Sequence, residues 1–323
     1  MTNKSKFLND VSKNGYKRPW KEKKLDNLTY ADYLEVLNFK KAHNVRDCGE
    51  TLEFVKTQDG HLKLYRTWFC HSRLCPLCAW RYSIKNTYEV GKILDTAKAN
   101  NKETEFLFLT LTVRNVDLPA LKATLKGVHE GFHRLMKYKR VSSVVQGFIR
   151  STEITINQKT NQAHPHIHAV LVVPKGYARR KQLRRYIDVT EWQALWRKAL
   201  KADYDPVVNI QKIKARKRKG KKAEKSELAA AKETAKYQVK SSDYITGDRQ
   251  RDLLYIEHLE QALANTRQLG FGGILKDIRH DLKLDEKEDD LINVDDEKES
   301  EKEPEKVTYK WNFKFGNYVQ ISN

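Results

Sequence analysis

Three of the chain's ten histidines, His164, His166 and His168, stand at alternate positions inside NQAHPHIHAVLVV, which runs from residue 161 to 173. Side chains two apart on a strand share a face. The three imidazoles therefore project together, while Ile167, Ala169 and Leu171 take the other face and need a covering layer. Two such imidazoles, about 7 Å apart along the strand, can converge on one cation with little backbone distortion. They need a third donor. VVQGFIRSTEITIN reads as the preceding strand, and the polar NQKTNQ joins the two as a hairpin. That pairing lays Glu153 alongside the histidines. Two imidazoles and a carboxylate suit Mn²⁺, or Mg²⁺ where water and phosphate oxygens complete the shell. One histidine would be read as a hydrogen-bonded imidazole on a sheet surface. Three in register beside an acid make His166, His168 and Glu153 the expected metal ligands.

Charge narrows the partner. The chain of 323 residues carries 62 Lys and Arg against 42 Asp and Glu, a formal net charge of +20. Residues 285–305 hold 12 acids and 3 bases. That segment contributes −9, which leaves +29 on the rest. A surface so basic attracts a polyanion, and nucleic acid is the usual one. From Lys212 to Lys222, eight of eleven residues are Lys or Arg. Lys212, Lys214, Arg216, Lys217 and Arg218 are thus candidate DNA contacts, as is Lys240, with a second basic tract at 175–185. Tyr186, Trp192 and Trp196 lie among these tracts and could stack on bases, although Trp at i,i+4 more often belongs to a core. No apolar run reaches the roughly 20 residues of a membrane span, and the polar N-terminus lacks the apolar stretch of a signal peptide. A cytoplasmic protein with no membrane partner is expected.

Along the chain, FLFLTLTV (106–113) reads as a strand. Leu121, Leu125, Val128, Phe132 and Leu135 mark an amphipathic helix over 118–137. A basic helix follows in 180–200, then the short strand VVNIQKI and an Ala-rich segment of high helix propensity, KSELAAAKETAKYQVK. The expected organisation is an N-terminal arm (1–44), a cysteine-bearing module (45–100), a domain carrying the histidine strand (101–248), a helical region (249–284), an acidic linker (285–306) and a terminal hairpin (307–323).

All four cysteines fall in one stretch: Cys48, then Cys70, Cys75 and Cys78. Disulfides are rare in the cytosol, so clustered thiols there point to metal. Cys75-Pro-Leu-Cys78 is the tight knuckle that lets two thiolates grip one Zn²⁺, and Cys70 and Cys48 would close the tetrahedron. His71 is a fallback ligand. Four protein ligands leave no open position, so this zinc is expected to be structural.

HPHIHAVLVV resembles the His–apolar–His motif of HUH endonucleases, which nick single-stranded DNA. FLFLTLTVRN, some fifty residues earlier, resembles the first motif of the rolling-circle plasmid replication initiators of Gram-positive bacteria. ETAKYQVKSSDY resembles their third motif, Glu-x-x-x-Tyr. RPWKEKK, WFCHSRLCPLCAWRY and WNFKFGNY are also similar to members of this family, particularly a staphylococcal plasmid branch. The resemblance implies an RRM-like α+β core: a central antiparallel sheet with covering helices, plus the N-terminal zinc module. It implies plasmid double-strand origin DNA with a hairpin nick site as partner, and a host helicase and replication proteins besides. A homo-oligomer is compatible with the sequence.

The third motif can also be read chemically. Glu233 lies four residues before Tyr237, so both share a helical face, and Lys236 and Lys240 flank the tyrosine. A phenol titrating near ~10 is a poor nucleophile at neutral pH; a neighbouring ammonium and a metal-bound phosphate favour its phenolate. Attack on DNA would give a 5′-phosphotyrosine and a free 3′-OH, and Glu233 could activate water to cleave that link. Tyr244, seven residues on, returns nearly to the same face and is a rival nucleophile; the family pattern favours Tyr237. Two alternatives are a relaxase or single-strand transposase of the same superfamily and a non-catalytic zinc DNA-binding regulator. Relaxases usually place the tyrosine before the histidine motif, whereas Tyr237 follows it. If the basic tracts engage ~6 phosphates, log K for duplex DNA should fall against log salt with a slope of about −5. A slope near zero in a salt series would show that the basic surface does not face the DNA.

Overall fold

The alternating and β-branched segments form ten strands in the computed structural model, which describes residues 7–12, 15–57, 60–177, 186–213, 234–235, 238–286, 289–294 and 305–321. In chain order they are β1 (Thr51–Lys56), β2 (Leu62–Arg66), β3 (Thr104–Thr112), β4 (Val116–Asp117), β5 (Gly147–Asn157), β6 (Gln162–Pro174), β7 (Val208–Lys212), β8 (Leu269–Gly273), β9 (Lys306–Asn312) and β10 (Asn317–Ile321). They build two antiparallel sheets, ordered β10-β9-β1-β2 and β7-β3-β6-β5-β8, with β4 pairing β6 outside the second path. The fold class is the expected one: α+β, antiparallel sheets covered by helices. The chain divides into two compact units, Met1–Lys85 with Ile245–Ile256 and Asp289–Asn323, and Asn86–Tyr244 with Glu257–Glu288.

The first unit gathers segments far apart in sequence. The helix Trp20–Val36 buries Trp20, Tyr30, Ala31 and Leu34. Trp20 meets Trp80 edge to face at 4.8 Å between ring centroids, and its Nε1 donates to Asp10 Oδ2 at 2.8 Å. The terminal hairpin β9–β10 pairs through β9 with β1, and the Tyr318 hydroxyl donates to Gly49 O at 2.6 Å. Within the acidic segment, Leu291 and Val294 are buried, and Arg81 donates to the carbonyls of Leu291 and Ile292.

The second unit positions the histidines. β6 is the middle strand, paired with β3 on one side and β5 on the other. Ile167, Ala169, Leu171 and Val173 point to one face and pack with Leu107, Leu109 and Leu111 of β3 under the helices Leu121–Lys137 and Val189–Leu200. The helix Leu121–Lys137 buries Leu121, Leu125, Val128, Phe132 and Leu135, the apolar stripe read from its spacing. Trp192 and Trp196 are fully buried in this core, so neither ring is free to stack on a base; Trp196 Nε1 donates to Thr112 O at 2.8 Å.

The histidine face is covered too, but only in part. Phe106, Phe108, Ile149, Val170 and Val172 pack beneath Val90, Ile93, Leu94 and Ala97 of the helix Pro76–Asn100 and Leu275 and Ile278 of the helix Ile274–Asp281. Toward the β5–β6 turn the same face changes from valine to histidine. Among the described residues no helix is long and apolar enough to cross a membrane.

Gly273 ends β8 at φ +57°, ψ −149°, a region that essentially only glycine occupies. A Cβ there would lie 2.2 Å from Gln146 O and 2.8 Å from Gly147 Cα, both backbone atoms. Gly273→Ala should therefore cost more than about 2 kcal/mol, read as a lower midpoint in chemical denaturation. An unchanged midpoint would mean that this corner rearranges freely.

Candidate metal centres

The turn between β5 and β6 sets the register of the site. Residues 158–161 form the connection, and Asn161 adopts the left-handed conformation (φ +55°) that Asn tolerates better than most residues. Asn157 braces the turn by accepting from Lys159 N at its Oδ1 and from Thr160 N at its carbonyl. Asn157 then stands opposite Gln162, and counting along the ladder places Glu153 opposite His166 and Ser151 opposite His168. On the other side β3 sets Thr110 opposite His168 and Thr112 opposite His166.

The donor atoms converge accordingly. Glu153 Oε2 lies 3.0 Å from His168 Nε2 and 3.3 Å from His166 Nε2. One ligand atom from each of Glu153, His166 and His168 lies within 4.8 Å of the others, so the group could hold a metal ion. The outer nitrogens are held as well. His166 Nδ1 is 3.2 Å from His164 O, and a carbonyl can only accept, so Nδ1 carries the hydrogen. His168 Nδ1 lies 3.1 Å from Thr110 Oγ1, and Phe108 stacks on the ring with centroids 5.4 Å apart. Such outer contacts orient metal-ligating imidazoles. Thr110 was not among the sequence candidates; only the strand register exposes its role.

Glu153 is largely buried. Burial raises its pKa, yet the two imidazole contacts outweigh that and hold the carboxyl well below the ordinary range. It is thus an ionised oxygen donor over the whole neutral range. His164 lies outside the three-residue group, its ring centroid 5.5 Å from that of His166, and its buried Nδ1 has no hydrogen-bond partner among the described residues.

Glu233 and Tyr237 lie outside the described residues, as do Lys214, Arg216, Lys217, Arg218 and Lys236. The flanking residues are described. Thr234 and Ala235 are buried, and Gln238 O accepts from Ile154 N at 2.7 Å, one residue from Glu153. Lys240 is exposed. Tyr244 is only 1% exposed, so the rival nucleophile is enclosed rather than presented to a substrate. Asp243 is an acid the sequence reading missed. Burial raises its pKa, Lys240 lowers it and Glu153 raises it, which places its charge within reach of the metal-type group. Lys212 is engaged by Glu105 at 2.6 Å.

The four cysteines form a second cluster, again with ligand atoms within 4.8 Å of one another. Cys75 and Cys78 flank the start of the helix Pro76–Asn100, Cys70 follows β2, and Cys48 follows the helix Ala42–Asp47. Cys48 Sγ is 3.5 Å from Cys78 Sγ and 3.6 Å from Cys75 Sγ, and Cys70 Sγ is 3.7 Å from Cys78 Sγ. A disulfide would bring two sulfurs to about 2.05 Å. A tetrahedron with metal–sulfur bonds of about 2.3 Å has edges of about 3.8 Å, so these separations fit a metal. Asn27 Nδ2 donates to Cys75 Sγ at 3.4 Å, and buried Lys24 donates to the carbonyls of Arg46 and Cys48 beside the cluster. His71 is turned to Tyr82, whose hydroxyl is 3.1 Å from its Nδ1.

The fold and its two donor clusters define an α+β protein with two sites that could bind metal. The chain matches the family model described as "Replication protein" over residues 61–319. It is 48% identical over 319 residues to "Protein rep" of Lactiplantibacillus plantarum, covering 97% of this chain and 99% of that protein. It is 36% identical over 319 residues to "Protein rep" of Streptococcus pneumoniae serotype 2 (98% and 96% covered). It is 36% identical over 238 residues to "Replication protein" of Staphylococcus aureus (73% and 98%). No solved structure matches. The chain belongs to this family of replication proteins.

If the sulfur cluster holds a metal, a thiol reagent should find the cysteines protected, and all four should become reactive once a strong chelator is added. The chelated protein should unfold at a lower temperature, because metal binding to a folded site contributes folding energy. Four thiols that react at once without chelator would show that no metal is held.

Proposed function

We propose that the chain initiates rolling-circle replication of a plasmid by nicking one strand of the origin, with Tyr237 as nucleophile. The observation that carries this reading is the convergence of Glu153, His166 and His168, with the backbone just after Tyr237 hydrogen-bonded to Ile154. Family membership and the net charge of +20 support DNA as the substrate. A divalent cation of the Mn²⁺ or Mg²⁺ type fits two imidazoles and a carboxylate. When bound, it would polarise a phosphoryl oxygen and offset the charge that develops there.

The chain's own residues do the rest. Tyr237 Oη attacks a phosphorus of the nick site; the bond to the 3′ oxygen breaks, and that oxygen leaves as a 3′-OH. The product is a 5′-phosphotyrosine, which keeps the energy of the phosphodiester for rejoining. Glu233 takes a proton from water as the water attacks the same phosphorus in termination, and Tyr237 Oη leaves. Lys240 and the basic tract 212–222 hold the DNA backbone. The Cys48, Cys70, Cys75 and Cys78 cluster is a structural zinc site, supported by the sulfur separations.

Tyr237→Phe removes the only atom that can form the covalent link, so nicking of supercoiled plasmid and covalent capture of an origin oligonucleotide should both vanish. His166→Ala and His168→Ala should likewise abolish nicking while origin binding in a mobility-shift assay stays largely intact. Glu233→Ala should still nick and become attached, but release too little, giving multimeric single strands. If Tyr237→Phe cuts at the wild-type rate, the chain is either not this enzyme or uses another nucleophile.

A further inference from the structure

On the face of the sheet opposite Glu153, β5 carries a buried cation with no counter-ion among the described residues. Arg150 is 7% exposed. Among the described residues its contacts are one long hydrogen bond, NH1 to Thr152 Oγ1 at 3.4 Å, and the ring of Phe132, 6.0 Å from its Cζ. Among the described residues no carboxylate acts on it, and burial lowers its pKa. The groups around it are cationic or neutral. His129, His133 and Lys137 follow one another at i, i+4 and i+8 on the helix Leu121–Lys137, so they share one face. His129 Nε2 lies 2.8 Å from the same Thr152 Oγ1. Burial, then Arg150, then His133 push the His129 pKa down to about 4. His133 is depressed by burial, Arg150 and Lys137. The one acid among these helix positions, Glu130, is paired with Arg134. β6 offers Ala169 opposite Arg150, and β8 offers Gly270, where a Cβ would lie 3.0 Å from Arg150 Nε. The neighbouring strands thus set no charge against Arg150, and its side chain packs over Gly270.

We propose that Arg150, Thr152, His129, His133 and Lys137 form a docking site for a phosphate oxyanion, borne by the backbone of the bound DNA strand. Arg150 supplies a planar fork of donors suited to two phosphate oxygens. The Thr152 hydroxyl and the His129 ring supply further donors once the anion is seated. His133 and Lys137 are both exposed, and the Lys137 ammonium carries positive charge outward along this face. The site lies on the other face of the sheet from the histidine–glutamate group, so it would hold the strand away from the scissile phosphate. This rests on DNA being the substrate, but not on the nicking chemistry.

The test follows the His129 ring by NMR in the full chain, with its signal assigned from the loss in His129→Gln. The pH titration is run without divalent cation, alone, with a short single-stranded oligonucleotide, and with inorganic phosphate. A seated anion favours the charged imidazole, so the His129 pKa should rise by about one unit or more. A rise with the oligonucleotide alone assigns the site to the DNA backbone; a rise with both probes keeps the oxyanion site and makes free phosphate a competitor. No rise with either overturns the proposal. In parallel, Arg150→Gln should weaken oligonucleotide binding about tenfold and reduce its salt slope by about 0.7. A folded Arg150→Gln with wild-type slope also overturns it. Should that variant fail to fold, the wild-type titration decides. Without divalent cation no strand is cut, so failure of the nicking reading leaves this outcome independent.

Discussion

The register of β6 against β5 is the constraint on which the rest of the second unit depends. Asn157 and Asn161 close the connection so that Asn157 faces Gln162. Everything downstream on both faces follows, because the side-chain period of a strand is two. A slip of one residue would turn Ile167 and Leu171 out of the core beneath the helix Leu121–Lys137 and put histidines in their place. It would also take Glu153 off the imidazole face. The apolar packing that stabilises the sheet and the convergence of three metal-type donors are therefore one choice. Burying each Ile or Leu contributes about 1.5–3 kcal/mol, so several together hold the register far more firmly than the donor group could alone.

The buried charges show how a chain with so many basic residues keeps its interior neutral. Asp252 accepts from Tyr33 Oη, Thr246 N and Oγ1, and Gly247 N. Lys24 gives its ammonium to two carbonyls beside the sulfur cluster. Glu153 faces two imidazoles. Each follows the rule that a buried charge is paired or fully hydrogen-bonded. Among the described residues Arg150 departs from it. Taking an ion out of water costs several kcal/mol, and a cation–π contact offsets about 0.5–2 kcal/mol at best. A 3.4 Å hydrogen bond adds little. The deficit is of the size that a phosphate would offset.

Much of the second unit was legible because its signals are local. The alternation in 164–173 gives the strand and its two faces, the polar NQKTNQ gives the hairpin, and together they give Glu153. Cys75-Pro-Leu-Cys78 likewise announces itself by spacing. What escaped depends on distant pairing. Nothing local says that β9 will lie against β1, that Leu291 will be buried beside Arg81, or that Thr110 will meet His168 across β3. Trp192 and Trp196 sit near basic tracts in sequence, yet helix periodicity turns both rings inward. The covering of the histidine face by the helix Pro76–Asn100 was also hidden, because half of that face is valine and half histidine, and the reading followed the histidines.

The place of Gln238, the residue just after Tyr237, follows from where β8 stops. β5 is paired with β6 over its whole length but with β8 only from Gly147 to Ser151. β8 cannot continue its ladder past Gly273, where the chain turns through φ +57° into the helix Ile274–Asp281. At its other end β8 begins at Leu269, opposite Ser151. The edge of β5 beyond Ser151 is therefore free for another segment, and Gln238 takes it through the Ile154 amide. Thr234 and Ala235 on one side and Gln238 and Val239 on the other are buried. A five-residue edge strand thus leaves room at the one stretch of β5 that carries Glu153. The donor group stands on the central strands of the sheet, and Gln238 is tied to the edge beside it.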